Sequence, residues 1–312
     1  MKITRSLSTD GTFEPAAVNF LGQIPESALF YVSQQLRHPE SIYALSLTKV
    51  SETFSKVTEG YLTKTQNICA DRTKTLEMSE LLKDQESFLR ALQEHLDDCW
   101  LILKTLVDPA TATKTTLFAD KYVVDNKLPG SRTFRDAIAD YKATLRIANK
   151  LKHQQGRLRG VSIQSNSGPV LGYFLEGPDA QGIIGPSPEI HPDQGAFSFA
   201  RDLTWHLFNV YACSEKLVSA IRSVLNAKGL SLQRKVVSNN KNLERTTLLA
   251  AAVPPTCFPK EVPRHIAIFR IRGEILTIEF PKAMRPIFPS PTQVTCSTIV
   301  DGHSPSFKVP FP

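Results

Sequence analysis

The sequence predicts an α+β protein: a helical bundle over residues 1–155, then a β-rich α+β domain over 156–312 that contains one long helix. Three observations predict it. From Pro25 to about Lys152 apolar residues recur at steps of three and four, the period of an amphipathic helix. Eight of the fifteen glycines then fall between Gly156 and Gly195, where they separate short β-like pieces. Eleven of the twenty-one prolines lie from Pro254 onward, which places the last strands at sheet edges.

Taken in order, Pro25 to Leu36 is a short helical candidate. The stripe Tyr43, Leu47, Val50, Phe54, Val57 and Tyr61 predicts a long helix beginning near Pro39. A second stripe, Met78, Leu82, Leu89, Leu92, Leu96, Cys99, Leu103 and Leu106, is interrupted only by Gln85 and stops at Asp108 and Pro109. Phe134, Ile138, Tyr141, Leu145 and Ala148 predict a third helix, opened by Gly130 and Ser131, to give a bundle of about four helices. Past Gly156, Arg159 to Gln164 and Val170 to Leu175 read as strands. Phe199, Leu203, Val210, Cys213, Leu217, Ile221 and Val224 form the buried face of the long helix expected to cover the sheet. His265 to Ile271 and Glu274 to Phe280 read as a hairpin, and Gln293 to Val300 with Phe307 to Phe311 as a final pair around Asp301 and Gly302.

With 41% hydrophobic and 21% charged residues, disordered and collagen-like classes are excluded. A net charge of +7 is a mild bias toward anionic partners. No stretch reaches about 18 consecutive apolar residues, and Met1 to Asp10 has no apolar leader core, so a cytoplasmic protein with no membrane partner is expected. The five scattered cysteines form no C-x-x-C pair, which predicts reduced thiols and no metal site. Signatures of phosphate-loop enzymes, α/β-hydrolases and zincins are absent, and no cofactor is expected. The glycines of 156–195 follow no G-x-G-x-x-G order and lie beside prolines, which is turn chemistry.

One stretch carries chemistry. Between Asp140 and Glu176 there is no acidic residue, while Lys142, Arg146, Lys150, Lys152, Arg157 and Arg159 are all present. Residues seven apart on a helix differ by about 20° in direction, so Arg146, Lys150 and His153 share one face. Two readings are open: cations satisfying the negative end of a helix dipole, or an anion-binding face with a histidine that titrates near neutral pH. In the second, Lys142, Asn149, Lys150 and Arg157 hold phosphate while a neutral imidazole takes a proton from a 2′-hydroxyl that attacks the adjoining phosphorus, without a metal.

The run Arg146-Ile-Ala-Asn-Lys-Leu-Lys-His153 resembles the R-x(4–6)-H motif of HEPN domains, helical bundles many of which are metal-independent ribonucleases. That resemblance covers the helical half alone. It implies Arg146 as the phosphate-stabilising arginine, His153 as acid or base, and a homodimer in which two motif copies face one groove. In many of those domains a polar residue follows the arginine, where this chain has Ile147.

Arg201-Asp-Leu-Thr-Trp-His206 fits the same pattern, with polar Asp202 in the favoured place. Five residues of regular helix turn through about 140°, so Arg201 and His206 point apart, and His206 falls beside Leu203 and Val210 as a hydrogen-bonded core histidine unless the helix breaks near Asp202. The expected function is binding of RNA or another polyanion, with HEPN-like cleavage as its catalytic form. The rival expectation is a non-catalytic interaction module for a protein or small ligand. Salt dependence separates them.

Overall fold

A computed structural model describes residues 2–71, 77–153, 156–193 except 166–167, 195–233, 242–258, 261, 266–280 and 291–296. The helices are α1 (Ala16–Leu21), α2 (Pro39–Ala70), α3 (Ser79–Lys104), α4 (Ala119–Asp125), α5 (Ser131–Ala137), α6 (Ala139–Thr144), α7 (Arg146–His153), α8 (Phe199–Ala227) and α9 (Asn242–Ala252). The strands are β1 (Lys2–Ser6), β2 (Arg157–Ser165), β3 (Gly168–Pro178), β4 (Ile184–Pro186), β5 (Phe197–Ser198), β6 (Ile268–Arg272), β7 (Ile275–Glu279) and β8 (Pro291–Cys296). Helices dominate the first half and sheets the second, with α8 as the long helix within it, so the fold class is α+β.

The two longest stripes of the first half form the helices their spacing predicts. His38 opens α2 by accepting the Glu40 amide N–H at Nδ1 (3.2 Å), with Pro39 in the first turn where its missing donor costs nothing. Helices α2 and α3 pack along their length, with Phe54 edge-on to Phe88 at 5.6 Å. The third predicted helix is instead three short ones. Its breaks fall at Ile138 (φ −105°, ψ 2°) and Leu145 (φ −75°, ψ 1°), both buried, and the bends keep Phe134, Ile138, Tyr141, Leu145 and Ala148 all inside a curved surface that one straight helix would leave. The candidate at Pro25 to Leu36 is a single 3-10 turn over Glu26–Ala28 followed by turns, so the first helix of the chain is α1, placed earlier than the pattern indicates.

Strand order in the larger sheet is β4-β3-β2-β8, all antiparallel, with β5 beside β3. Alternation divides its faces: Leu158, Leu171, Tyr173 and Leu175 join the main core, while Val161, Ile163, Val170 and Phe174 meet Ala196 and Phe258 on the other side. The smaller sheet is β1-β7-β6, in which Ile3 pairs with Ile278 and the predicted hairpin is β6–β7. Strand β8 lies against β2, while the predicted partner at Phe307 to Phe311 falls outside the described residues.

Residue 156 marks a change of secondary structure, yet one core crosses it. Helix α8 touches α1, α2, α3, α5, β3, β5 and α9. Its Ser214 hydroxyl accepts the Ala17 amide N–H (2.7 Å) and its Tyr211 hydroxyl donates to the Phe13 carbonyl (2.6 Å), which ties the start of the chain to its centre. The expected sheet-covering helix therefore also organises the helical half.

Gly172 marks the tightest approach. A Cβ there would sit 2.2 Å from the Phe197 carbonyl oxygen and 2.3 Å from the Phe258 ring, where β3 meets β5. Gly172→Ala is expected to cost about 2 kcal/mol, read from the urea midpoint at unchanged slope, because neither backbone nor packed ring can give way freely.

Candidate functional site

The predicted cationic face is built on α7, whose apolar residues Ile147, Ala148 and Leu151 turn inward and leave the polar ones outside. Arg146 is its first residue and His153 its last, and both are exposed, as is Asn149 between them. The two positions lie about 10 Å apart along the axis. Arg157 is exposed at the start of β2, where its backbone pairs with Glu176.

Three members of the row are engaged, one of them Arg159, whose guanidinium donates to Glu176 across β2 and β3 at 2.6 and 3.1 Å. Lys150 Nζ meets Glu189 Oε2 at 2.6 Å, and its side chain is only 16% exposed. Lys150 foremost, with Arg146, holds the Glu189 carboxyl below its usual range. Lys142 lies on α6, off the α7 face, and meets Asp120 of α4 at 2.8 Å. The break at Leu145 thus separates Lys142 from the helix that carries the motif, and Glu189, 39 residues beyond Lys150 in sequence, places a carboxylate in a row that reads as purely basic. What remains open to a ligand is Arg146, Asn149, Lys152 and His153.

The second motif has a different fate. Helix α8 runs unbroken through Asp202, and His206 is buried with its Nε2 at 3.3 Å from Asp202 Oδ1. Asp202 Oδ2 also accepts from the Tyr173 hydroxyl (2.7 Å) and from Gln85 Nε2 (2.8 Å). Burial pushes the Asp202 carboxyl up, but His206, Tyr173 and Arg201 together hold it below its usual range. Tyr173, buried against that carboxylate, is pushed well above its ordinary value. Arg201 turns the other way, toward Glu261 (3.7 Å) and over Trp205. The pair does point apart.

Gln85, the single interruption in the α3 stripe, is therefore the α3 member of a buried polar junction joining α3, β3 and α8. With Gln85, Tyr173, Asp202 and His206 each no more than 3% exposed, no substrate reaches it in this fold. Its role is cohesion across the boundary between helices and sheet.

No family model, curated protein or solved structure matches this chain. Among the described residues no group of three or more histidine, cysteine or acidic side chains is placed to hold a metal, and no helix is long and apolar enough to cross a membrane. Helix α7 is thus the place where both motif residues are presented to solvent.

Proposed function

We propose that this protein binds RNA or a related polyanion along the exposed face of α7, with metal-independent, HEPN-like cleavage as the activity of that site. The observation that carries the reading is the exposure of Arg146 and His153 at opposite ends of one eight-residue helix, while the competing pair Arg201 and His206 is buried and divided between separate partners. Arg146 holds a phosphate through its fork of donors, Asn149 hydrogen-bonds the sugar-phosphate chain, and His153 takes the proton of the adjacent 2′-hydroxyl as that oxygen bonds the phosphorus, the phosphorus–O5′ bond breaks and the departing 5′-oxygen is protonated, which leaves a 2′,3′-cyclic phosphate. Because one helix sets the two motif residues about 10 Å apart, a second copy of the chain completes the groove in this reading.

Binding of a labelled single-stranded RNA over a series of salt concentrations tests it. Arg146→Ala is expected to weaken affinity and to reduce the slope of log K against log salt by about one unit. Lys150→Ala is expected to change that slope less, since Glu189 already neutralises Lys150. His153→Ala is expected to leave binding nearly intact and to remove chelator-insensitive cleavage and its cyclic phosphate ends. Absence of RNA affinity at low salt replaces the reading with that of an interaction module, and a monomer at all concentrations by light scattering removes the shared groove.

A further inference from the structure

Away from α7, a second basic surface lies at the carboxy-terminal end of α4. A groove of about 580 Å³ is lined by Lys114, Lys127, Arg132 and Arg135, with Asp125 the only carboxylate among the described lining residues. Among the described residues Lys114, Lys127 and Arg132 make no ion pair, and Arg135 pairs only with its neighbour Asp136 (3.1 Å). By contrast, the cations lining the groove between α2 and α9 are paired, Arg245 with Glu59 of the same groove and Lys56 with Asp84 of α3.

The cations of the first groove are held in place by the backbone. Asn126 Oδ1 accepts the amide N–H groups of Thr113 (2.8 Å) and Lys114 (3.1 Å), and its Nδ2 donates to the carbonyls of Lys114 (3.0 Å) and Tyr122 (2.9 Å). One side chain thereby fastens the segment bearing Lys114 beside Lys127. Lys127 itself adopts a left-handed conformation (φ 54°), and Gly130 (φ 78°) lies so close to α8 that a Cβ would fall 2.9 Å from Ala220 Cα. The loop is anchored to the body of the protein, so its charges converge without being ordered by a ligand.

At the opposite end of α4, about 10 Å away, stands an apolar tip. Leu117 is 100% exposed and Phe118 63%, with Lys121 over the Phe118 ring at 5.2 Å. Among the described residues the groove lining contains no aromatic ring on which a base would stack, and leucine offers no π-face, so a nucleic acid leaves Leu117 unexplained. A lipid bilayer accounts for both ends: apolar side chains enter the acyl boundary while convergent cations meet anionic headgroups. From this we infer that the α4–α5 face docks on an anionic lipid surface, with Leu117 and Phe118 inserted and the groove of Lys114, Lys127, Arg132 and Arg135 on headgroup phosphates. This docking is independent of the α7 site.

Sedimentation of the full chain with vesicles of phosphatidylserine and phosphatidylcholine, against phosphatidylcholine alone, tests it. The parent is expected to sediment with the anionic vesicles at low salt, to be released at high salt, and to ignore the neutral ones. Arg132→Ala with Arg135→Ala is expected to weaken partitioning about 25-fold, about fivefold per cation. Leu117→Ser with Phe118→Ser is expected to weaken it about tenfold or more. His153→Ala is expected to partition as the parent does. All four replaced tip and groove residues are exposed, so unchanged circular dichroism is expected to accompany both losses. The proposal is overturned if anionic vesicles retain no more protein than neutral ones, or if the tip variant sediments as well as the parent. Should the latter coincide with loss of RNA affinity in the Arg132 and Arg135 variant, the groove belongs to nucleic acid.

Discussion

Asp202→Ala is expected to lower the unfolding free energy by about 4 kcal/mol, read as a fall in the urea midpoint. The carboxylate is the common partner of Gln85 Nε2, the Tyr173 hydroxyl and His206 Nε2, all buried. Its removal leaves those groups without their charged partner in a low-dielectric interior and opens a cavity beside the His206 ring, which Phe88 and Tyr141 flank at 6.0 and 5.9 Å. Asp202→Asn supplies the control. It keeps the volume and one acceptor while losing the charge, so it is expected to destabilise the protein by about half as much. Tyr173→Phe removes a hydroxyl that donates to Asp202 and accepts from Gln85 Nε2, and is expected to cost about 1–2 kcal/mol. A loss below about 1 kcal/mol in the alanine variant would show that the junction does not hold the helices to the sheet.

Long stripes explain why α2, α3 and α8 are readable in the sequence: a face of Leu, Val, Phe and Tyr over many turns has one period and one solution. The same property hides α9. Its buried face carries Leu243, Thr246, Thr247 and Ala250, and the two threonine hydroxyls bond back to the carbonyls of Asn242 and Leu243, so hydropathy registers little where packing is good. Strand β1 is invisible for another reason: five residues at the start of the chain become a strand only by pairing with β7 near its other end. The breaks at Ile138 and Leu145 follow from a curved packing surface, which no local pattern encodes.

The candidate site divides in the same manner. Arg146, Asn149 and His153 are polar positions opposite Ile147, Ala148 and Leu151, and their exposure follows from helical period alone. The Glu189 that neutralises Lys150 comes from a turn after β4, a contact that exists only once the sheet has folded against α7. Gln85 did carry a signal: one amide in an otherwise apolar stripe marks a buried polar partner, although its identity as Asp202 required the fold.

Acid is expected to destabilise the parent more than a His95→Gln variant, by about 3 kcal/mol over the descent from pH 6.5 to pH 4. His95 lies inside the α2–α3 pair, with Nδ1 on the Ser46 hydroxyl at 2.8 Å and its ring edge-on to Tyr43 at 5.3 Å. Among the described residues its Nε2 has no hydrogen-bond partner, and burial lowers its pKa from 6.5 to about 4. The folded state therefore keeps the ring neutral after the unfolded chain has begun to take up a proton. Stability conferred by the neutral ring is complete above the unfolded value and is lost as pH falls toward the folded one, the opposite of a histidine that gains a carboxylate. Glu14, Asp97, Asp98 and Glu261, whose carboxyls burial pushes up, favour the folded state in acid, but they are present in both proteins and largely cancel in the difference. Urea titrations of parent and variant at a series of pH values supply that difference. Curves that run parallel from pH 6.5 to pH 4 would mean that His95 is protonated as readily in the folded protein as in the unfolded chain, and that the α2–α3 interface admits water at its centre.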